Sequence, residues 1–149
     1  MLKPAHILLV EDNRMDVELT LDAFRERRLG NTVHVANNGQ EALDYLFGDK
    51  AYSNRGKFPL PDLILLDLKM PVIDGFEVLR RIKQTSVLKR IPVVILSSSK
   101  EEGDRAMTYD IGANSYLVKP VSFDGFLEVV KRVDNYWLSL NVPAPLSPS

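Results

Sequence analysis

Residues 63–75 read LILLDLKMPVIDG. Leu63 to Leu66 form an apolar run with no polar alternation, and the acid Asp67 follows at once. A short continuous run of this kind fits a strand buried on both faces, the sort found in a parallel sheet covered by helices on either side. Pro71 and Asp74-Gly75 then mark a loop. Phe76 to Gln84 reads as a helix with Phe76, Val78, Leu79 and Ile82 available to its inner side. The order is therefore strand, acid, loop, helix.

The same unit recurs on both sides. Upstream, His6 to Val10 (HILLV) is another apolar run, closed by Glu11-Asp12. Arg14 to Arg28 follows as a helix, with Val17, Leu21 and Phe24 at helical spacing, Met15 and Leu29 flanking, and Gly30-Asn31 as a stop. Thr32 to Ala36 is a short β-branched run. Asn37-Asn38-Gly39 is turn chemistry, with Asn38 placed to cap a helix over Glu41 to Phe47. Gly48 to Pro61 is polar and reads as a surface loop. Downstream, Ile91-Pro92 opens a strand over Val93 to Leu96. Ser97-Ser98-Ser99 ends it and is placed to cap a helix from about Lys100 to Ile111, closed by Gly112. Ser115 to Val118 is the last strand, Lys119-Pro120 closes it, and Ser122 to Leu138 is a final amphipathic helix. The pattern predicts one domain over residues 1–140 and a disordered Pro/Ser tail over 141–149.

Five strands alternating with five helices predict an α/β fold, a doubly wound parallel sheet with helices on both faces. Composition agrees with a globular chain. Of 149 residues, 45% are hydrophobic and 26% charged, and 19 basic against 20 acidic residues leave a net charge of −1. That balance gives no reason to expect a nucleic-acid or membrane-surface partner. With no cysteine, disulfides, thiolate metal sites and cysteine nucleophiles are excluded. The N-terminal residues run straight into an apolar strand without leader features. Apolar runs fall well short of the roughly 20 residues that span a bilayer. The expected location is cytoplasmic.

In a doubly wound sheet the ligand site lies outside the carboxyl ends of the strands. The polar residues at those ends are Glu11 and Asp12, Asp67, Ser97, and Lys119 before Pro120. Each is ordinary alone. An acidic pair after a strand is more often a turn and helix cap, and a lone lysine is usually solvated. Together on one edge they define a chemistry. Like charges about 4 Å apart cost roughly 4 kcal/mol per pair at an effective dielectric near 20, and a hard cation such as Mg²⁺ relieves that with oxygen ligands. Glu11, Asp12 and Asp67 supply the charge, and a backbone carbonyl from Lys69 is a candidate to complete the protein's share. Asp67 is then a candidate nucleophile toward phosphorus, with the Lys119 ammonium and Ser97 hydroxyl placed to bind the transferring oxygens.

These residues resemble the receiver domains of two-component response regulators. The likeness runs from about His6 to Leu138 through HILLVEDN, LILLDLKMPVIDG, IPVVILSSS and GANSYLVKP. It implies a flavodoxin-like sheet in order 2-1-3-4-5, the order the chemotaxis regulators share with flavodoxin. It further implies that Asp67 is the phosphoacceptor, that Glu11 and Asp12 bind Mg²⁺, and that Ser97 is the switch hydroxyl. Lys119 becomes the phosphate-binding lysine, Tyr116 the rotating aromatic, and the bond before Pro120 is expected to be cis. The implied partners are a histidine kinase and a downstream protein that reads the surface of helix 4, strand 5 and helix 5. The long 48–61 loop, and the ending in Tyr136-Trp137-Leu138 before a Pro-rich tail, resemble the small regulators paired with phytochrome-type kinases. Without the family, Tyr116 reads as simple core packing with its hydroxyl outward. Tyr136 and Trp137 fit either a cap on the core or a homodimer contact.

Other classes fit less well. Phosphatases and phosphotransferases that use an aspartyl phosphate usually place a second acid two residues after the nucleophile, where this chain has Lys69. A flavodoxin-type cofactor site wants a loop rich in Gly, Ser or Thr after the first strand, where this chain has Glu11-Asp12-Asn13-Arg14. A degenerate receiver acting only as a scaffold would not need the intact acids. The sequence therefore predicts a signalling protein rather than an enzyme.

Overall fold

The computed structural model describes residues 4–27 and 30–146. Its strands are β1 (His6–Val10), β2 (Thr32–Ala36), β3 (Leu63–Leu66), β4 (Val93–Ser97) and β5 (Ser115–Val118). They form one parallel sheet in the order β2-β1-β3-β4-β5. Its helices are α1 (Arg14–Arg27), α2 (Gly39–Phe47), α3 (Gly75–Lys83), α4 (Glu102–Ile111) and α5 (Phe123–Asn135). The fold is thus the flavodoxin-like one expected. Arg28, read as the last residue of α1, and the flanking Leu29 lie outside the described residues.

The apolar runs are continuous because the sheet has no wet face at its centre. Alternate residues of a strand point to opposite sides. Leu8, Val10, Ile64, Leu66, Val93 and Ile95 join a core with α2 and α3, where Leu43, Leu46, Val78, Leu79 and Ile82 meet them. Ile7, Leu9, Leu63, Leu65, Val94 and Leu96 face the other way, onto Phe24 of α1 and Phe126, Val130 and Val133 of α5. Burial fades toward one edge: α4 buries only Thr108 among its residues, and no residue of β5 is fully buried.

Helix ends follow local chemistry, with one departure. The Asn38 side chain accepts the Glu41 N–H at 2.8 Å and starts α2 at Gly39, two residues earlier than expected. Asp74 and Ser122 cap α3 and α5 in the same way, accepting from Glu77 (3.0 Å) and Gly125 (3.1 Å). The serines after β4 do not start a helix directly. α4 begins at Glu102, and its preceding residue Glu101 makes no side-chain cap; the Ser99 hydroxyl accepts the Glu101 N–H at 3.3 Å and donates to Asp104 at 2.7 Å.

The 48–61 segment is more than a surface loop. It makes a three-ten turn at Lys50–Tyr52, and Tyr52, Phe58 and Leu60 lie against the α2/α3 core. The Arg55 guanidinium donates to the carbonyls of Tyr45 and Leu46, both at 2.7 Å, and of Phe58 at 3.2 Å. It thereby satisfies the acceptors that the end of α2 leaves open. Gly48 closes that helix in the left-handed region, at φ 70°. Beyond α5 the chain makes one wide turn, Tyr136–Leu140. Trp137 and Leu138 pack against the α1/α5 core, and Tyr136, half-exposed, meets Trp137 edge-on at 4.9 Å. Arg90 then holds the Pro145 carbonyl at 3.1 Å, and Leu146 touches the α2/α3 core. Residues 147–149 lie outside the described residues.

Candidate functional site at the carboxyl edge of the sheet

Backbone rungs carry the ladder one residue past β1, β3 and β5 and set the rim. The Asp67 N–H donates to the Val10 carbonyl at 3.0 Å, the Glu11 N–H to Ala36 at 3.0 Å, and the Lys119 N–H to Ser97 at 2.8 Å. Glu11 and Asp67 are buried, at 2% and 4% exposure, while Asp12 is open to solvent. One carboxylate oxygen from each of Glu11, Asp12 and Asp67 lies within 4.8 Å of the others.

The Lys119 ammonium sits across both Glu11 carboxylate oxygens at 2.9 Å and lies 3.6 Å from Asp67 Oδ1. It also pairs with Asp16 Oδ2 at 2.9 Å, a residue the sequence reading missed. Asp16 lies in the first turn of α1, where the Asn13 side chain accepts its N–H at 3.0 Å. In sequence such an acid looks like any other that complements a helix N-terminus. Only the return of β5 to the same edge reveals its partner.

One ammonium therefore faces three carboxylates, Glu11, Asp16 and Asp67, and Asp12 adds a fourth to the cluster beside Glu11 and Asp67. Burial pushes the Glu11 carboxyl up to about 7, with Asp67's charge adding to the effect; the Lys119 bond and the Asn13 N–H only partly oppose it. Asp67 is also raised, first by burial and then by the charge of Asp12, against Lys119 and the backbone N–H groups of Lys69 and Leu68. Burial alone would lower Lys119. Its bonds to Asp16 and Glu11 and the charges of Asp67 and Glu11 outweigh that and hold it above the usual lysine range. The pocket thus keeps its cation and is still short of positive charge. Oxygen donors with a charge deficit are what a hard divalent ion requires, so the donor set fits Mg²⁺.

The β3–α3 loop is folded tightly around Asp67. The Gly75 N–H donates to the Leu68 carbonyl at 2.9 Å. A Cβ at Gly75 would overlap the Asp67 carbonyl oxygen and the Leu68 Cα, so no larger residue fits. Val72, fully exposed, holds a positive φ of 68°, a strained conformation for a β-branched residue.

Ser97 is wholly buried, and its Oγ accepts the Ser99 N–H at 3.2 Å. Tyr116 is half-buried, and its hydroxyl donates to the Ser99 carbonyl at 2.9 Å rather than turning outward. The Lys69 side chain turns away to Asp104, at 3.3 Å, and lies over Phe76. The bond before Pro120 differs from expectation. No peptide bond among the described residues is cis; trans is the lower-energy form of an X–Pro bond unless tertiary contacts reverse the preference. Pro120 still fixes the turn by lying against Gly125.

A doubly wound sheet with this rim defines a receiver, and comparison with known proteins agrees. Residues 7–131 match the response regulator receiver domain, and the chain belongs to that family. The response regulator Rcp1 of Synechocystis sp. (strain PCC 6803) is 37% identical over 142 residues, covering 95% of each chain. The crystal structure of the phosphorylated cyanobacterial phytochrome response regulator RcpA is similar at TM-score 0.89 and 38% identity, over 96% of this chain and all of that one. The Mn²⁺-bound form of Rcp1 is similar at TM-score 0.86 and 35% identity, over 95% of this chain and 100% of that one. Among the described residues no helix is long and apolar enough to cross a membrane.

Proposed function

We propose that this receiver accepts a phosphoryl group on Asp67 from the phosphohistidine of a histidine kinase of the phytochrome type, with Mg²⁺ bound. The observation that carries the reading is the single ammonium of Lys119 set among Glu11, Asp16 and Asp67 at the carboxyl edge of the sheet. It is a site made for a metal and a phosphoryl group and poorly balanced without them.

Glu11, Asp12 and Asp67, with the Lys69 carbonyl, would hold the ion. Bound there, Mg²⁺ supplies Lewis-acid charge to phosphoryl oxygens. An Asp67 oxygen attacks phosphorus while the P–N bond to the donor imidazole breaks and its electron pair returns to nitrogen. Lys119 exchanges part of its carboxylate contact for a phosphoryl oxygen. The Leu68 and Lys69 N–H groups already point at Asp67 and steady the charge that develops. Ser97 turns its hydroxyl toward the new group, Tyr116 follows, and the surface of α4, β5 and α5 changes for a downstream protein. A bias of a few kcal/mol is enough for such a population shift. The product is a state of the protein, so the role is signalling rather than turnover. The domain would span residues 1–140 and act in the cytoplasm, and a homodimer through Tyr136 and Trp137 remains the second use of that aromatic pair.

The test is labelling by a small acyl phosphate. The wild-type chain takes up about one phosphoryl group only when Mg²⁺ is present, and Asp67→Asn takes up none. Stoichiometric labelling of the Asn variant would reject the assignment.

A further inference from the structure

Asp16 is the one acid touching Lys119 that the metal chemistry does not use. It lies outside the cluster of Glu11, Asp12 and Asp67, whose oxygens converge within 4.8 Å. Yet its Oδ2 takes the Lys119 ammonium at 2.9 Å, as close as either Glu11 oxygen does. Its backbone is pinned on both sides. The Asn13 side chain accepts its N–H at 3.0 Å, and Thr20, itself buried, donates through its hydroxyl to the Asp16 carbonyl at 2.7 Å. The carboxylate therefore starts from a fixed turn. It is also sheltered, with the Asp16 and Lys119 side chains 22% and 11% exposed. An acid in the first turn of α1 satisfies the helix dipole wherever it points. The dipole does not ask for an ammonium delivered from the end of β5.

We propose that Asp16 is a positioning residue: it holds the Lys119 ammonium to one side of the pocket, so that Mg²⁺ and the ammonium share the acidic cluster instead of competing for it. This rests on the reading of Glu11, Asp12 and Asp67 as the metal's ligands. An ammonium has three N–H groups to place. Glu11 and Asp16 are its near partners at 2.9 Å, and Asp67 stands further off at 3.6 Å. Glu11 is the partner both cations want, since the ion needs a Glu11 oxygen that the ammonium covers. Asp16 is the partner only the ammonium uses. When Glu11 serves the ion, Asp16 keeps Lys119 beside the pocket, with an N–H left for a phosphoryl oxygen. Without the Asp16 charge, only Glu11 and Asp67 remain of the ammonium's present partners, and the ion must displace it from both. Charge-assisted bonds are the stronger kind, so one such bond is enough to decide how the cluster is divided.

The test is a calorimetric titration of the whole chain with Mg²⁺ alone, without a phosphoryl donor. Asp16→Asn is expected to bind Mg²⁺ about three- to tenfold more weakly than wild type, the range of one such bond's net worth. Lys119→Met removes the competing cation and binds more tightly. In that background Asp16→Asn changes the affinity by less than about twofold, because no ammonium is left to place. Simple loss of a nearby negative charge would weaken binding equally in both backgrounds. Equal loss, or an Asp16→Asn variant that folds and binds as tightly as wild type, overturns the proposal. If the methionine background does not fold, Glu18→Gln is the reference. It removes an acid that is 65% exposed on the same helix, and an Asp16→Asn loss no larger than that of Glu18→Gln overturns the proposal. If the asparagine variant does not fold, Asp16→Ser carries the same expectation. If wild type binds no Mg²⁺ at all, the metal-site reading falls, and urea unfolding of the metal-free single and double variants decides the anchor. Coupling between Asp16→Asn and Lys119→Met supports it, and additive effects overturn it.

Discussion

Replacing Lys119 with Met probes the charge balance of the pocket directly. The apolar stem is largely kept, and the ammonium, only 11% exposed, is lost together with contacts at 2.9 Å to Glu11, 2.9 Å to Asp16 and 3.6 Å to Asp67. Breaking a buried pair by removing one partner costs roughly 3–5 kcal/mol, because a charge stays buried without compensation. Here the full cost applies only while Glu11 is ionised. Its folded-state value is already raised to about 7, and losing Lys119 raises it further, so at lower pH a proton takes the place of the ammonium. Lys119 itself is raised above its ordinary value and stays charged through this range, so the pH dependence comes from the carboxylates. The expected destabilisation without Mg²⁺ is about 3 kcal/mol at pH 8, shrinking toward about 1 kcal/mol near pH 5.5. In melting temperature that is a fall of roughly 6–12 °C at the upper pH for a chain of this size. Urea unfolding of both proteins at the two pH values measures it. A cost under about 1 kcal/mol at pH 8, or one that does not change with pH, would refute the idea that this ammonium offsets a frustrated carboxylate cluster.

Glu11 also makes a prediction for the wild-type protein. Its raised value means that its favourable contribution to metal-free stability is complete below about 4.5 and is lost as pH rises through about 7. Mg²⁺ must displace that proton, so metal affinity measured by calorimetry should weaken as pH falls from 8 to 6; constant affinity would place the ion elsewhere. Val72→Gly relieves a positive φ at a side chain that is 99% exposed. Relief of about 1–2 kcal/mol less the glycine entropy of roughly 0.5–1 kcal/mol leaves a small gain in stability, read as a higher urea midpoint. Truncation after Asn135 removes Trp137 and Leu138 from the α1/α5 core and should cost about 2–4 kcal/mol by denaturant unfolding. Gel filtration of the same variant separates core capping from a dimer contact, since only the latter changes molecular size.

Much of the fold was legible because central parallel strands must be apolar on both faces. Val93 to Leu96 and Leu63 to Leu66 announce themselves as unbroken runs, and the structure adds Ser97 to the first of them; an acid or lysine at the end of such a run has few places to go. Asn38 was readable as a cap and Asp74 as a turn residue for the same local reason, and Ser122, read as the first residue of the last helix, is its cap. What stayed hidden depends on contacts distant in sequence. Asp16 looks like a helix-dipole acid until Lys119 arrives from β5. Arg55 looks like a loop cation until its guanidinium meets the end of α2. Ser99 was read as a helix cap with its neighbours. Its hydroxyl accepts the Glu101 N–H just ahead of α4 and also donates to Asp104, a second partner that composition does not announce. The positive φ of Val72 leaves no trace in composition, since a valine there has the wrong intrinsic preference.

The uneven burial of the sheet has a mechanical consequence. β1, β3 and β4 are held from both sides, while α4 buries only Thr108 and leaves Ile111 partly buried against the core, and β5 is partly wet throughout. Opening free energies across a protein vary with such local contact, so this flank should breathe at the lowest cost, with amides of α4 and β5 exchanging long before those of β3. A perturbation at the rim will be felt where the framework yields most easily, and that places the compliant side of the molecule next to Ser97 and Tyr116.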